Sequence, residues 1–226
     1  MKKCLLFLNG DPPDGDTLDN IANDKRAGIY GDIFCTDGAY CYLSQYLMPD
    51  VLIADFDTLS REEVDSEKVE IITFGTEKDY TDGFLAIKII AERGYNDVDI
   101  YGAYGGRPDM AESNYFLLVY ALSKGVKARF CGKMQTYLCT DSFNKSLPKG
   151  STVSVVPFSD ELHILYTKGL KYALAGYTMK KIDGVDSSDY IMGVSNESIE
   201  DRVEIAFGSG YALVFVKENG GTEKCG

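Results

Sequence analysis

Pro49-Asp50-Val51-Leu52-Ile53-Ala54-Asp55-Phe56-Asp57-Thr58-Leu59-Ser60 is the stretch whose reading decides the fold. An apolar run breaks off into two aspartates spaced i and i+2, followed by hydroxyl residues. Val51 to Ile53 read as a buried strand, and Asp55 and Asp57 sit where it runs out. In an open α/β sheet that edge is where ligands bind. Two carboxylates there repel each other, and nothing basic stands beside them, so they do little for stability. They suit a hard cation such as Mg²⁺ held against a polyphosphate. The plainer reading is a solvated turn, because Asp and Thr are common turn residues.

Working outward, the same unit of strand, polar loop and helix recurs. Upstream, Leu5 to Leu8 form a short strand that ends at Asn9-Gly10 and enters an acidic loop, Asp11 to Asp16. A helix is expected over Leu18–Ala27, a second strand over Ile33–Cys35 ending in Thr36-Asp37-Gly38, and a helix from Ala39 to Leu47, stopped by Pro49. Downstream, Ser60-Arg61-Glu62-Glu63 has capping-box spacing. Glu70–Phe74 reads as the fourth strand. Thr81 is the expected N-cap of a helix that runs to Arg93 and stops at Gly94. Val98–Tyr101 is the fifth strand, and Pro108 opens a helix that ends before Gly125. This alternation predicts a Rossmann-like parallel sheet with flanking helices.

Beyond Gly125 the pattern changes to short apolar strands separated by turn residues. They include Ala128–Cys131, Thr136–Cys139, Thr152–Pro157, His163–Tyr166, Val203–Phe207 and Tyr211–Val216. Gly208-Ser209-Gly210 looks like the turn of a hairpin joining the last two. The fold class expected is therefore α/β followed by an all-β sandwich, with domains at 1–125 and 126–226.

Composition bounds the function. The chain has 226 residues, 45% of them hydrophobic, and a formal charge of −12. An acidic protein is a poor match for nucleic acid, which needs a basic face. None of the six cysteines forms a C-x-x-C pair, and no stretch approaches a membrane span in length. Reduced thiols and no signal peptide point to the cytoplasm. His163, the one histidine, falls in the β half, away from the acidic clusters, and reads as structural or surface.

The distinctive polar clusters all fall at the predicted carboxyl ends of strands: Asp37-Gly38, then Asp55 and Asp57, then Lys78, Asp79, Thr81 and Asp82, then Gly102, Gly105, Gly106, Arg107 and Asp109. A parallel sheet brings these loops to one edge. There Asp55, Asp57 and Asp82 can supply oxygen ligands, and Lys78 and Arg107 can bind phosphate. The glycines admit close approach of backbone to an anion. Singly, each has a plainer reading as a surface ion pair or a tight turn, and it is their convergence that argues for a site. Neither a G-x-x-x-x-G-K-[ST] loop nor a G-x-G-x-x-G turn is present.

With these motifs in hand, the chain resembles the thiamine pyrophosphokinase (thiamine diphosphokinase) family. The resemblance rests on Pro49 to Thr58, on Lys78-Asp79-Tyr80-Thr81-Asp82, and on Gly105-Gly106-Arg107-Pro108-Asp109-Met110. In the β half it rests on Thr167-Lys168-Gly169-Leu170-Lys171-Tyr172 and on Ser195-Asn196. It implies a homodimer with its active site at the subunit interface, which moves the pyrophosphoryl group of ATP onto thiamine and releases AMP. By position, Asp55, Asp57 and Asp82 would hold Mg²⁺, and Asp37, Gly38, Thr58, Lys78, Asp79, Thr81 and Arg107 would bind ATP. Tyr172, Ser195 and Asn196 would contact thiamine, and Asp82 or Asp109 would accept its hydroxyl proton. Ala54 and Met110 stand where the family has glycine and histidine or glutamine. A related transferase with another alcohol substrate, or a non-catalytic sensor, remains an alternative.

Overall fold

The computed structural model describes residues 2–57, 59–74, 80–185 and 190–219. The chain divides after Gly132 into two compact units.

The first unit contains β1 (Lys3–Phe7), α1 (Gly15–Arg26), β2 (Ile33–Thr36), α2 (Asp37–Leu43), β3 (Val51–Ala54), β4 (Glu70–Thr73), α3 (Asp82–Glu92), β5 (Asp97–Tyr101), α4 (Pro108–Ser123) and β6 (Lys127–Phe130). Its strands lie side by side in the order β6-β5-β1-β2-β3-β4, and each described pairing is parallel. The chain steps one way from β1 to β4, then returns to place β5 on the other side of β1. Right-handed crossovers therefore put α1 and α2 on one face and α3 and α4 on the other. On the first face Leu18, Ile21, Tyr40 and Leu43 of the helices pack with Leu5, Phe7, Ile33, Leu52 and Ala54 of the strands. On the second, α3 packs on β2 and β3, and α4 on α3 and β6. Cover on both faces explains why β1, β2 and β3 are apolar runs rather than alternating ones.

The signals read from the sequence mark the ends of these elements. Thr81 is the N-cap of α3, Pro108 opens α4, and Gly94 and Gly125 adopt positive φ just past the helix ends. The capping box at Ser60 is present, but it starts only one 3₁₀ turn, Arg61–Glu63. Helix α2 stops at Leu43, short of the expected Leu47.

One assignment changes. Ala128–Cys131 was expected to open the β half, yet β6 pairs in parallel with β5 and belongs to the first unit. The reason is chemical as well as topological: α4 is the crossover for a sixth parallel strand, and Arg129 on that strand pairs with Asp99 on β5. Asp99 is 1% exposed. Arg129 reaches it with Nε and Nη2 at 2.7 and 2.9 Å, Lys3 Nζ lies 2.8 Å away, and the Tyr30 hydroxyl donates to it at 2.8 Å. Burial pushes the Asp99 carboxyl up, but the hydrogen bonds and charges of Arg129 and Lys3 outweigh it and hold it below the usual range.

The second unit contains β7 (Gln135–Cys139), β8 (Ser142–Ser146), β9 (Thr152–Pro157), β10 (Glu161–Lys168), β11 (Thr178–Lys180), β12 (Asn196–Glu197), β13 (Arg202–Ser209) and β14 (Ala212–Lys217). Antiparallel pairings give two layers, β12-β9-β14-β7 and β11-β10-β13-β8. Val153, Val155 and Val214 from one layer meet Leu162, Ile164, Val203 and Phe207 from the other in a shared core, which makes this the expected sandwich. Gly208-Ser209-Gly210 is not a hairpin turn. It carries the chain from β13 in one layer to β14 in the other, and Gly210 turns at φ 91° against the Glu161 carbonyl. His163 lies on β10 with Nδ1 3.1 Å from Thr178 Oγ1.

Candidate active site

The quoted stretch turns out to have two ends with different jobs. At the start, the Asp50 carboxylate accepts from the Ile33 backbone N–H and pairs with Lys25, each at 2.7 Å, and so pins the entry of β3 to β2. At the far end, Phe56 adopts φ 62°, a left-handed conformation that costs a bulky residue about 1–2 kcal/mol. Its ring offsets this by packing on the apolar face under α1 and α2 and by lying 5.2 Å from the Arg61 guanidinium. The tight turn brings Asp55 and Asp57 together. Ala54, by contrast, is fully buried in that same apolar face, so its methyl group points into the core.

Asp37, the first residue of α2, completes the group. Carboxylate oxygens of Asp37, Asp55 and Asp57 lie within 4.8 Å of one another, in a gradient from buried to exposed. Parallel pairing of Thr36 with Ile53 sets Asp37 level with the end of β3. The Leu59 backbone N–H donates to Asp37 Oδ2 at 3.3 Å. Three hard oxygen donors at this spacing fit a Mg²⁺ ion, which takes carboxylates together with water or phosphate oxygens. Asp82 is not in this group and stands as the first residue of α3. Asp37, which the sequence reading placed with the nucleotide, lies against Asp55 and Asp57.

Loops after β1 and β5 close the neighbouring part of the edge. Gly10 N–H donates to the Gly102 carbonyl at 2.9 Å and Asp11 N–H to the Tyr104 carbonyl at 2.6 Å. The Asp11 side chain occupies the space a Cβ on Gly105 would need, and that glycine turns at φ 81°. The Asn9 side chain does the same over Gly38. Asn9 and Asp11 were missed in the sequence, where Asn-Gly and Asp-Pro read only as turn formers. They sit at the point where strand order reverses, between β5 and β1, the expected ligand crevice of such a sheet.

Three helices start at this edge without a side-chain cap. Thr36, Thr81 and Arg107 occupy the N-cap positions of α2, α3 and α4, and none of their side chains caps the helix. In α1, by comparison, Asp14 accepts from Thr17 N–H at 2.8 Å. Uncapped first-turn N–H groups suit an anion. Arg107 and Asp109 pair with each other at the exposed start of α4, with Nε 3.1 Å from Oδ1. The Arg107 guanidinium holds the Asp109 carboxyl below its usual range. Thr58, Lys78 and Asp79 lie outside the described residues.

In the sandwich the three residues named for thiamine form one local assembly. Asn196 is buried, and its Oδ1 accepts from Tyr172 N–H at 3.0 Å while its Nδ2 donates to the Tyr172 carbonyl at 2.7 Å. The Tyr172 ring is left exposed, 64% open. Ser195, at φ 59°, turns the chain into β12, and its N–H donates to Ser154 Oγ at 3.0 Å. Asn196 therefore holds Tyr172 by its main chain and frees the ring to present a face.

Comparison with known proteins bears on both units. The profile described as thiamin pyrophosphokinase, catalytic domain, matches residues 32–130, and that described as thiamin pyrophosphokinase, vitamin B1 binding domain, matches residues 141–212. The chain belongs to the thiamin pyrophosphokinase family. It is 25% identical over 183 residues to a thiamine pyrophosphokinase of Bacillus subtilis, covering 78% of this chain and 82% of that protein. A solved thiamine pyrophosphokinase structure from Bacillus subtilis shares the fold with a TM-score of 0.77 at 20% identity, over 96% of this chain and 100% of that one. A thiamin pyrophosphokinase from Candida albicans gives 0.78 at 17% identity, over 96% of this chain and 89% of that one. Membership of this family makes the chain a pyrophosphotransferase. No described helix is long and apolar enough to cross a membrane.

Proposed function

We propose that this protein is a Mg²⁺-dependent thiamine diphosphokinase that transfers the pyrophosphoryl group of ATP to the hydroxyethyl oxygen of thiamine, giving thiamine diphosphate and AMP. The observation that carries the reading is the group of Asp37, Asp55 and Asp57 at the ends of β2 and β3, in a chain of this family. Asp37, Asp55 and Asp57 would hold the cation, and bound Mg²⁺ would neutralise charge on the phosphates, which phosphoryl-type transfer needs more than covalent help.

The chain's own residues do the rest. The open N-termini of α3 and α4 and the Arg107 guanidinium bind and orient phosphate oxygens, with Lys78, Asp79 and Thr81 just before α3 in sequence and Gly38 and Thr58 in the segments that follow β2 and β3. Asp109 is a poor proton acceptor while it is paired with Arg107. Phosphate that engages Arg107 would release it, so Asp109 and Asp82 are the two groups that could take the thiamine hydroxyl proton. Tyr172 offers a ring face to the cationic thiamine, held in place by Asn196, with Ser195 adjoining. A homodimer that completes the site at its subunit interface and a cytoplasmic location belong to the same proposal. Neither nucleic acid nor membrane enters as a partner.

The test is to incubate the protein with ATP, Mg²⁺ and thiamine and to follow thiamine diphosphate and AMP by chromatography. Stoichiometric formation of both is expected. AMP formed with other alcohols but not with thiamine, or tight thiamine binding without turnover, would sink the proposal.

A further inference from the structure

Gly38 stands at the second position of α2, and its backbone is helical, a conformation any residue adopts. A glycine there weakens a helix by about 1 kcal/mol relative to alanine, so it calls for a reason. The reason is space. A Cβ on Gly38 would lie 2.2 Å from both Cγ and Nδ2 of Asn9 and 2.3 Å from its Oδ1. The Asn9 carboxamide thus rests flat on the bare Cα of Gly38. Its mount is firm. Leu8 N–H donates to the Tyr101 carbonyl at 2.9 Å, and Gly10 N–H donates to the Gly102 carbonyl, so the backbone on either side of Asn9 is bonded to the end of β5. Thr36, on the other hand, gives the start of α2 no side-chain cap, and its hydroxyl donates to the Phe7 carbonyl.

We propose that Asn9 is a positioning residue for Asp37: by filling the space over Gly38 it fixes the first turn of α2 and so aims the Asp37 carboxylate at Asp55 and Asp57. This rests on the reading that these three carboxylates hold a divalent cation. Asn9 acts through the Gly38 backbone and does not itself supply a ligand. The pairing explains two residues at once, an asparagine at the end of the central strand and a glycine inside a helix.

The experiment uses the full chain as wild type, Asn9→Ala, Gly38→Ala and the double variant. Mn²⁺ binding is read by electron paramagnetic resonance, and backbone amide hydrogen exchange is read over residues 37–43. Either single substitution removes the same contact, one by deleting the carboxamide and the other by displacing it. Each is expected to weaken Mn²⁺ binding about tenfold, the range seen for groups that orient metal ligands, and to speed exchange in the first turn of α2. The double variant should be no worse than either single one, since coupled residues are not additive. Losses that multiply to about a hundredfold would overturn the inference, because Gly38 would then serve a purpose of its own. Unchanged exchange and Mn²⁺ affinity in Asn9→Ala would also overturn it, and that variant alone decides if Gly38→Ala does not fold. Wild type that binds no Mn²⁺ would count against the cation reading, while the exchange arm still decides whether Asn9 fixes α2.

Discussion

Two acidic places in the first unit follow opposite logic. Asp99 is one carboxylate buried in the sheet and met by Arg129, Lys3 and Tyr30. Asp37, Asp55 and Asp57 are three carboxylates drawn within 4.8 Å of one another at the rim, where like charges repel. The first arrangement answers its own charge and stabilises the fold. On the proposed reading, the second gathers charge to hold a cation. Where an aspartate stands along the strand separates the two: Asp99 lies within β5, and Asp37, Asp55 and Asp57 lie just past the carboxyl ends of β2 and β3.

The largest expected effect comes from the rim. Asp57→Asn should lower thiamine diphosphate formation about a thousandfold, equivalent to about 4 kcal/mol of barrier, while leaving the thermal midpoint unchanged or raised. Steady-state assay and differential scanning calorimetry on one preparation check both halves. A large fall in the midpoint would erase the contrast with Asp99.

Asp99→Asn should do the reverse, costing about 3 kcal/mol of stability because Arg129 and Lys3 lose their charge partner. The folded fraction should keep its kcat. The sign with pH follows from the depressed carboxyl of Asp99. Its contribution is complete above the unfolded value near about 3.9 and fades as pH falls through the lower folded value. Urea melts at pH 7 and pH 3 should show the gap between wild type and variant shrink in acid. A gap that widens in acid would reverse the assignment.

Cation addition separates the two places next. Mg²⁺ at a hundred times its dissociation constant should stabilise the folded chain by about 2.7 kcal/mol. Calorimetry should register that gain in wild type and Asp99→Asn and lose it in Asp57→Asn. Equal gains in all three would mean that the ion binds elsewhere. The smallest effect belongs to Arg129→Lys, which keeps the charge but breaks the two-pronged bond to Asp99, at a cost of about 1.5 kcal/mol readable in the same urea melts.

Much of this was written locally in the chain. Gly94, Pro108 and Gly125 mark element ends because each acts through its own backbone, Thr81 stands at the N-cap of α3, and Asp55 and Asp57 stand out because an apolar run stops at them. What the sequence hid depends on pairing between strands. Asp37 joins Asp55 through the register of β2 on β3, which no local signal carries. For the same reason β6 looked like part of the sandwich until its pairing with β5 was seen. The Gly208–Gly210 segment misled because a glycine-rich turn between two strands serves a hairpin and a layer change equally well. Asn9 had one readable clue, a glycine at position 38 inside a helix.

The grip of Asn196 on Tyr172 has a further consequence. Asn196 holds position 172 through the main chain that every residue shares, so the fold asks nothing of the side chain there. The ring can then be exchanged for another by mutation without loosening the loop that bears it. On the proposed reading, in which this ring faces the acceptor, acceptor preference can drift at this position while the architecture stays constant.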